Sequence, residues 1–442
     1  MKKFLLINLL LTAYFTDYFP SWNLSTRALP VYTIIQDHTL YFDSYVTQTG
    51  DYALIKGHYY CEKAPLSTLI TLIPTVIINL LIPLDSLGYS KSLNMIRAIG
   101  STFCGTLPFL IILLLLANYL KQYVPEKRAY LLAMMLGYGS NTYIYSGGLW
   151  GHLLAAVFIL GAYIQIKQKK KFMLAGLYAG LAVSAEYPMI LFLGIISTML
   201  VFPERRYRQC LQFILGSLPV LLLLGLYHYF ITGSPFRPLY LYAAGEFTIM
   251  GQMLGMHLPS IKILAQLFAG PFRGLIWYTP ILIYIIYLIA RYRIFSRKFL
   301  LKDYLSPAIF VFPLYFSCYH FWWGGCCHGP RHLVPLVTLI LYASIPLCLK
   351  WGKIKYLIMF SSVGILLNWV TKSVYYIYND RFKFPFTQFI FPSFFSGLVD
   401  APTIFSDLNI SKYLLIYAWP VLFILAIVNY WDFSGKLRKS KG

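Results

Sequence analysis

Charge is scarce in this sequence. Only 12% of its 442 residues are charged, about half the share of ordinary soluble domains. Acids are scarcer than bases, 15 against 37. No polar stretch is long enough to make a separate soluble domain. Paired cysteines are lacking too. The seven present are scattered apart from Cys326-Cys327, which gives neither a disulfide framework nor paired metal-site spacing. The N-terminus (Lys2, Lys3, then Phe4 to Phe15) resembles a signal peptide but lacks a small-residue cleavage site, because Tyr14 and Phe15 follow Ala13. It reads as an uncleaved first span.

What remains is apolar. The chain is 59% hydrophobic and 18% aromatic, and runs of about 20 apolar residues recur from end to end, each closed by Lys and Arg. Such runs are membrane spans rather than one oversized core. The formal net charge of +22 is dispersed into short loops between them, where the positive-inside rule puts it. That dispersal speaks against a nucleic-acid partner.

The basic clusters orient the spans. They are Lys2-Lys3; Lys121, Lys127, Arg128; Lys167, Lys169, Lys170, Lys171; Arg205, Arg206, Arg208; Arg291, Arg293, Arg297, Lys298, Lys302; Lys350, Lys353, Lys355; and Lys436, Arg438, Lys439, Lys441. With all of them cytoplasmic, paired crossings fall at about 129–147/149–166, 172–185/187–202, 209–231/274–290, 304–320/332–349 and 355–372/412–431. The first gap holds three apolar stretches, at about 4–20, 66–84 and 98–119, so one of them must not cross. Pro65, Pro74 and Pro83 single out 66–84, since proline breaks a continuous span. A juxtamembrane or re-entrant helix is expected there, buried in protein or lying at the interface.

The expected fold is therefore all-α: a polytopic integral membrane protein of the cell's inner or plasma membrane. One multi-span domain covers residues 1–442, with about twelve transmembrane helices and both termini cytoplasmic. The first outer loop, 21–96, carries juxtamembrane helices, and further outer loops cover 232–273, 321–331 and 373–411. Four acids (Glu126, Glu204, Asp303, Asp432) then lie inside. Asp17, Asp37, Asp43, Asp51, Glu62, Asp85, Glu186, Glu246, Asp380, Asp400 and Asp407 lie outside or near the outer ends. Acids contribute little to orientation, so the skew needs another cause, and a working outer face is one.

The first outer loop is the most informative stretch. Ser25 or Thr26 is expected to cap a short helix through Leu29, Tyr32, Thr33 and Gln36. Asp43-Ser-Tyr45, Gly50-Asp51 and Gly57-His58-Tyr59-Tyr60-Cys61-Glu62-Lys63-Ala64-Pro65 follow. A solvated loop with salt bridges would look like this. So would a site that pairs a carboxylate base with a cation for phosphate. Trp150-Gly151-His152 opens a span, and Glu186-Tyr187-Pro188 turns between two short spans. An ionisable group at that depth is a functional candidate, or equally a helix-packing hydrogen bond. Trp322-Trp323-Gly324-Gly325-Cys326-Cys327-His328-Gly329-Pro330-Arg331-His332 offers a Gly-rich backbone and a guanidinium suited to an anionic head group. Zinc at Cys326, Cys327, His328 and His332 is set aside, because adjacent cysteines chelate one ion poorly. No metal site and no firm cofactor follow from the residues, though a divalent cation is compatible with them.

Taken in order, Asp43-x-Tyr45, Gly50-Asp51, Gly57-His58-Tyr59-Tyr60, Glu62-Lys63-x-Pro65, Gly151-His152, Tyr227 with Gly233-Ser-Pro235, Arg273-Gly274-Leu275 with Pro280, and Gly324-Gly325 with Gly329-Pro330-Arg331 resemble the GT-C superfamily of polyprenyl-phosphate-sugar-dependent glycosyltransferases. The bacterial branch of protein O-mannosyltransferases and the lipid A aminoarabinose transferase is most similar. The resemblance spans about residues 23 to 335. It implies an inverting transferase using a polyprenyl-phosphate-linked sugar and a lipid, glycan or protein acceptor on the outer face. In such enzymes a first-loop acid activates the acceptor hydroxyl and a first-loop Lys or Arg binds the lipid phosphate. Two departures stand out. Relatives often carry an Asp-Glu or Asp-Asp pair and then Arg before the juxtamembrane helix, where this chain reads Asn23-Leu24-Ser25-Thr26-Arg27; and Leu66 stands where many have Gly.

On this reading Asp43 is the first choice of base and Asp51 the second. Lys63 and Arg331 bind the donor phosphate with help from His58 and His152. Arg27, Tyr60, Glu62 and Glu186 support them. A polysaccharide polymerase or ligase would instead use Arg and His in a long outer loop of the second half, which 232–273 and 373–411 partly fit. A lipid or solute transporter would show internal repeats with matching broken helices, and no such symmetry is visible.

Overall fold

The computed structural model describes residues 1–202, 204–292, 305–406 and 410–430. The basic residues Arg293, Arg297, Lys298, Lys302, Lys436, Arg438, Lys439 and Lys441, and the acids Asp303, Asp407 and Asp432, lie outside the described residues. The chain is 71% helical with almost no strand. Among the described residues four helices are long and apolar enough to cross a membrane: Tyr89–Leu120, Tyr207–Thr232, Ile354–Val374 and Lys412–Tyr430. These mark an integral membrane protein of helical build. Shorter apolar helices include Leu66–Asn79, Phe172–Ala185, Tyr187–Val201, Ile281–Tyr292, Leu305–Ser317 and Arg331–Ala343.

Several elements differ from their sequence expectation. The first helix is Lys2–Ala13, not a span to residue 20. Past it the chain turns into the protein, where the Asp17 amide donates to the Gly147 carbonyl at 2.6 Å. The expected span at 129–147 stops at Tyr138, and residues 139–151 form a buried, mostly irregular segment. Gly139-Ser140-Asn141 ends the helix because Ser and Asn compete for backbone bonds. The segment survives in the interior because its carbonyls find partners: Asn368 Nδ2 donates to Tyr138 O at 2.9 Å and to Ser140 O at 2.8 Å. Irregular backbone at membrane depth is tolerated where protein surrounds it.

The helix after Lys63 shows why its prolines matter. Leu66–Asn79 contains Pro74 and ends ahead of Pro83. Fourteen residues at 1.5 Å each reach roughly 21 Å, short of a ~30 Å hydrocarbon core. Its amphipathicity is inverted. Ser67, Thr68, Thr71 and Thr75 are buried, while Leu69, Ile73, Val76 and Ile77 are exposed. Two of the buried hydroxyls are satisfied within the helix, Thr71 donating to Ser67 O at 2.8 Å and Thr75 to Thr71 O at 2.7 Å, and Thr68 donates across to Arg27 O at 3.2 Å. An apolar outer face over a polar inner one suits a helix whose surroundings are lipid.

Small residues set the closest helix contacts. A Cβ on Gly176 would fall 1.8 Å from the Phe213 carbonyl oxygen, and one on Gly216 would fall 1.9 Å from that of Met173. Helices Phe172–Ala185 and Tyr207–Thr232 therefore touch backbone to backbone, as small-residue crossings allow. At Gly194 a Cβ would meet nothing within 4 Å. Thermal unfolding of purified protein is expected to separate the two cases. Gly216→Ala lowers stability by about 1–3 kcal/mol through overpacking, whereas Gly194→Ala leaves it unchanged or raises it by about 0.5–1 kcal/mol through backbone entropy. Equal effects would contradict the crossing.

Candidate functional site

A short hairpin places the first charged residues. Strands Ala53–Ile55 and His58–Tyr60 pair antiparallel around Lys56-Gly57, both at positive φ. That is the two-residue turn that matches strand twist. Ala243 bridges to Ala53, and the Ala244 amide donates to Tyr52 O at 3.0 Å. The 232–273 segment thus lies on the hairpin. Beyond Tyr60 the chain runs inward, carrying Glu62 and Lys63 into the protein.

There they join an ionic cluster at the helix ends. Lys63 Nζ ion-pairs with Glu62 and, at 3.3 Å, with Asp51. Asn23 donates to Asp51 at 3.3 Å and accepts from Arg27. Thr26 donates to Glu62 at 3.4 Å. Arg27, only 2% exposed, also donates to Ser67 at 3.2 Å and lies 3.5 Å from Glu186. Glu186 in turn lies 3.2 Å from His152 Nδ1. Burial pushes the Glu62 carboxyl above its ordinary range, with Lys63 opposing and Asp51 adding to the rise. Burial also raises Glu186, against the pull of Arg27, Arg331 and Lys63. For Lys63 burial works against the charge, but Asp51 and Glu62 outweigh it and hold the ammonium above the usual lysine range.

Helix Trp22–Gln36, which supplies Asn23 and Arg27, is capped by Ser21, whose hydroxyl accepts from the Leu24 amide at 3.4 Å. Ser25 and Thr26, expected as caps, lie buried inside it. Extended backbone at Ser21 (φ −139°, ψ 153°) starts the helix four residues early, which frees both hydroxyls for tertiary bonds. Ser25 accepts from Arg97 at 2.9 Å.

Arg331 completes the cluster from the Gly-rich segment. Its guanidinium lies over Trp150, 5.3 Å from the ring centroid. Its Nε is buried without a hydrogen-bond partner, and among the described residues no acid lies within ion-pair distance of it, Asp51 and Glu186 acting on it from farther off. Gly324, at φ +80°, leaves space beside it: a Cβ there would fall 3.0 Å from Arg331 Nε and Cγ. The segment is fixed by Arg273, which is fully buried. Arg273 donates to Trp323 O and Gly325 O, both at 3.0 Å, and to Phe272 O at 3.2 Å.

Asp43 and His58 stand apart from this cluster. Asp43 Oδ2 lies 2.7 Å from His58 Nδ1, its Oδ1 accepts from the Tyr59 amide at 2.8 Å, and both side chains are more than a third exposed. His58 stacks on Tyr41 at 4.2 Å, and Tyr60 packs edge-on to the same ring. The structure thus gathers Asp51, Glu62, Lys63, Arg27, Glu186, His152 and Arg331, and leaves Asp43, His58 and Tyr60 outside. Among the described residues no group of three or more His, Cys, Asp or Glu is placed to hold a metal ion. A surface groove of about 650 Å³ lies elsewhere, between Lys170–Leu177 and Gln212–Pro219.

A second buried network was not singled out from the sequence. Asp17 accepts from Tyr376 at 2.8 Å and Tyr375 at 3.2 Å, and Tyr376 accepts from the Trp150 indole at 2.8 Å. Asp17 and Tyr376 are 359 residues apart, and nothing local announces their pairing. An acid beside the expected first span was the one available signal. No family model, curated protein or solved structure matches this chain.

Arg273→Ala is expected to release the Gly-rich segment. Two or more lost hydrogen bonds from a buried cation are worth about 1.5–3 kcal/mol each. The buried Cys327 thiol, held against Trp323 O and Gly329 O, should then react with a thiol reagent at least ~10-fold faster. An unchanged rate would show that other contacts hold the segment.

Proposed function

We propose that this protein is an inverting glycosyltransferase that moves a sugar from polyprenyl phosphate to an acceptor hydroxyl at the outer face of the membrane. The observation that carries the proposal is the Arg331 side chain, whose Nε is buried without a hydrogen-bond partner in the same cluster as Lys63. A buried N–H without an acceptor is costly, and an oxygen of an anionic ligand supplies one. The resemblance noted in the sequence supplies the chemistry of that ligand. The same reading has about twelve spans with both termini cytoplasmic, and it sets the cluster at the outer ends of the helices.

The leaving group is a phosphate monoester, already anionic at neutral pH, so it needs charge stabilisation more than a strong acid. Lys63 and Arg331 supply that charge, Arg331 as a fork suited to phosphate oxygens. Asp51 is the base in this proposal. Lys63 lies 3.3 Å from it; a phosphate competes for Lys63 and frees the carboxylate. Asp51 then takes the acceptor's proton as the hydroxyl oxygen attacks the sugar's anomeric carbon. The bond from that carbon to the phosphate oxygen breaks, and polyprenyl phosphate departs. Asp43 is the weaker candidate because its carboxylate is committed to His58 and the Tyr59 amide outside the cluster.

Purified protein incubated with labelled polyprenyl-phosphate sugars should transfer label out of the lipid. Asp51→Asn should lower the rate by about 10²–10⁴, the usual worth of a positioned base, with donor binding retained. Asp43→Asn should stay within a few-fold of wild type, and Lys63→Ala should weaken donor use more than acceptor use. A near-wild-type rate for Asp51→Asn would remove Asp51 from the role, and no transfer from any lipid donor would remove the function.

A further inference from the structure

The groove of about 650 Å³ between helices Phe172–Ala185 and Tyr207–Thr232 shares no residue with the ionic cluster. The two helices run parallel. A Cβ on Gly176 would meet Phe213 and Ser217, and one on Gly180 would meet Ser217 and Val220. Gly216, whose Cβ position is taken by the Met173 carbonyl, lines the groove. Small residues let the backbones touch, so no side chain fills the seam there and a valley is left along it.

The lining is sorted along the helices. Lys170, Lys171 and Gln212 stand at one end, Leu177 and Pro219 at the other, and Leu174 and Leu215 between them. From Gln212 to Pro219 is about 10 Å of helix at ~1.5 Å per residue. Both lysines are exposed, as are Arg205 and Arg208 at the start of the second helix. Parallel helices put all four bases at the same end. Among the described residues no acid lines the groove, and nearby Glu204 is paired with Arg206 at 3.4 Å. Basic residues that close an apolar helix mark the head-group level of a bilayer. Exposed Leu211, Leu215 and Leu218 continue the apolar face beyond them.

We infer that this groove binds an anionic phospholipid, its phosphate on Lys170 and Lys171 and an acyl chain along Leu174, Leu177, Leu215 and Pro219. Charge at one end and hydrocarbon at the other match the polarity of such a lipid. The other occupants match less of the groove. An apolar partner helix would leave two ammonium groups unanswered. A soluble anion would leave the apolar walls uncovered. A zwitterionic lipid brings its own cation to a basic mouth. Basic pockets between membrane helices are suited to acidic head groups for these reasons. The site is independent of the transferase reading.

The test is native mass spectrometry of delipidated full-length protein with two probes, dioleoyl phosphatidylglycerol and dioleoyl phosphatidylcholine. Wild type should retain one phosphatidylglycerol about tenfold or more tighter than phosphatidylcholine, the scale set by two lysines at a lipid phosphate. Lys170→Gln with Lys171→Gln should bring it down to the level of phosphatidylcholine, and Lys170→Arg with Lys171→Arg should keep the preference. Met173, which lines the groove and is 56% exposed, can be enlarged without repacking the interior. Met173→Trp should therefore weaken phosphatidylglycerol at least several-fold by filling the valley. Lys350→Gln with Lys355→Gln, at another exposed basic cluster, should change nothing. A wild type that retains both lipids alike would overturn the site. So would an equal loss at Lys350 and Lys355, which would make the effect a diffuse surface charge. Dimers of the lipid-free protein that Met173→Trp breaks would give the groove to a second copy and overturn it as well.

Discussion

A lysine ammonium held between two carboxylates inside the protein is the constraint on which the cluster depends. Lys63 is 14% exposed at its side chain, and Asp51 and Glu62 are 7% and 1% exposed. None of these charges is tolerable there alone, since breaking a buried pair strands an uncompensated ion. The hairpin that ends at Tyr60, the helix that begins after Pro65 and the helix that contributes Asn23 and Arg27 must therefore meet in one arrangement. Asn23 shows the economy of that arrangement. Its amide donates to Asp51 while its carbonyl accepts from Arg27, so a neutral side chain joins an anion to a cation.

The bundle supports the cluster by ending its helices early. Helix Glu126–Tyr138 gives way to buried irregular chain, and helix His152–Ile164 starts beside it. That leaves Trp150 and His152 facing Arg331 and Glu186 instead of lipid. Glycines make the approach possible: a Cβ on Gly151 would fall 2.5 Å from Glu186 Oε1, and one on Gly148 would fall 2.4 Å from the Trp150 indole nitrogen. Asp17, Tyr376 and Trp150 form a hydrogen-bonded chain behind the guanidinium of Arg331. Packing and polar satisfaction at this point are one problem, because every polar atom taken from water needs a partner.

Helical build and membrane character were legible in the apolar runs and their basic ends, where composition over about 20 residues decides the outcome. Helix limits were less so. Pro83 lies beyond the end of the helix at Asn79, yet Pro74 sits inside it, as helices at membrane depth tolerate. Lys63 and Arg331 were visible as isolated cations in Gly- and Pro-rich surroundings. The separation of Asp43 from Asp51 was not visible, because it depends on a tight turn, Asp43–Gln48, and on the hairpin register. The partnerships of Asn23, Arg273 and Asp17 are tertiary and leave no trace in local pattern.

The first loop and the Gly-rich segment meet in one cluster, which requires them to lie on one side of the membrane. Leu54, at the hairpin, and Cys326, beside Gly325, are both exposed. In intact cells, a membrane-impermeant thiol reagent should label Leu54→Cys and the natural Cys326 alike from outside. Labelling of the two positions from opposite sides would contradict the shared centre.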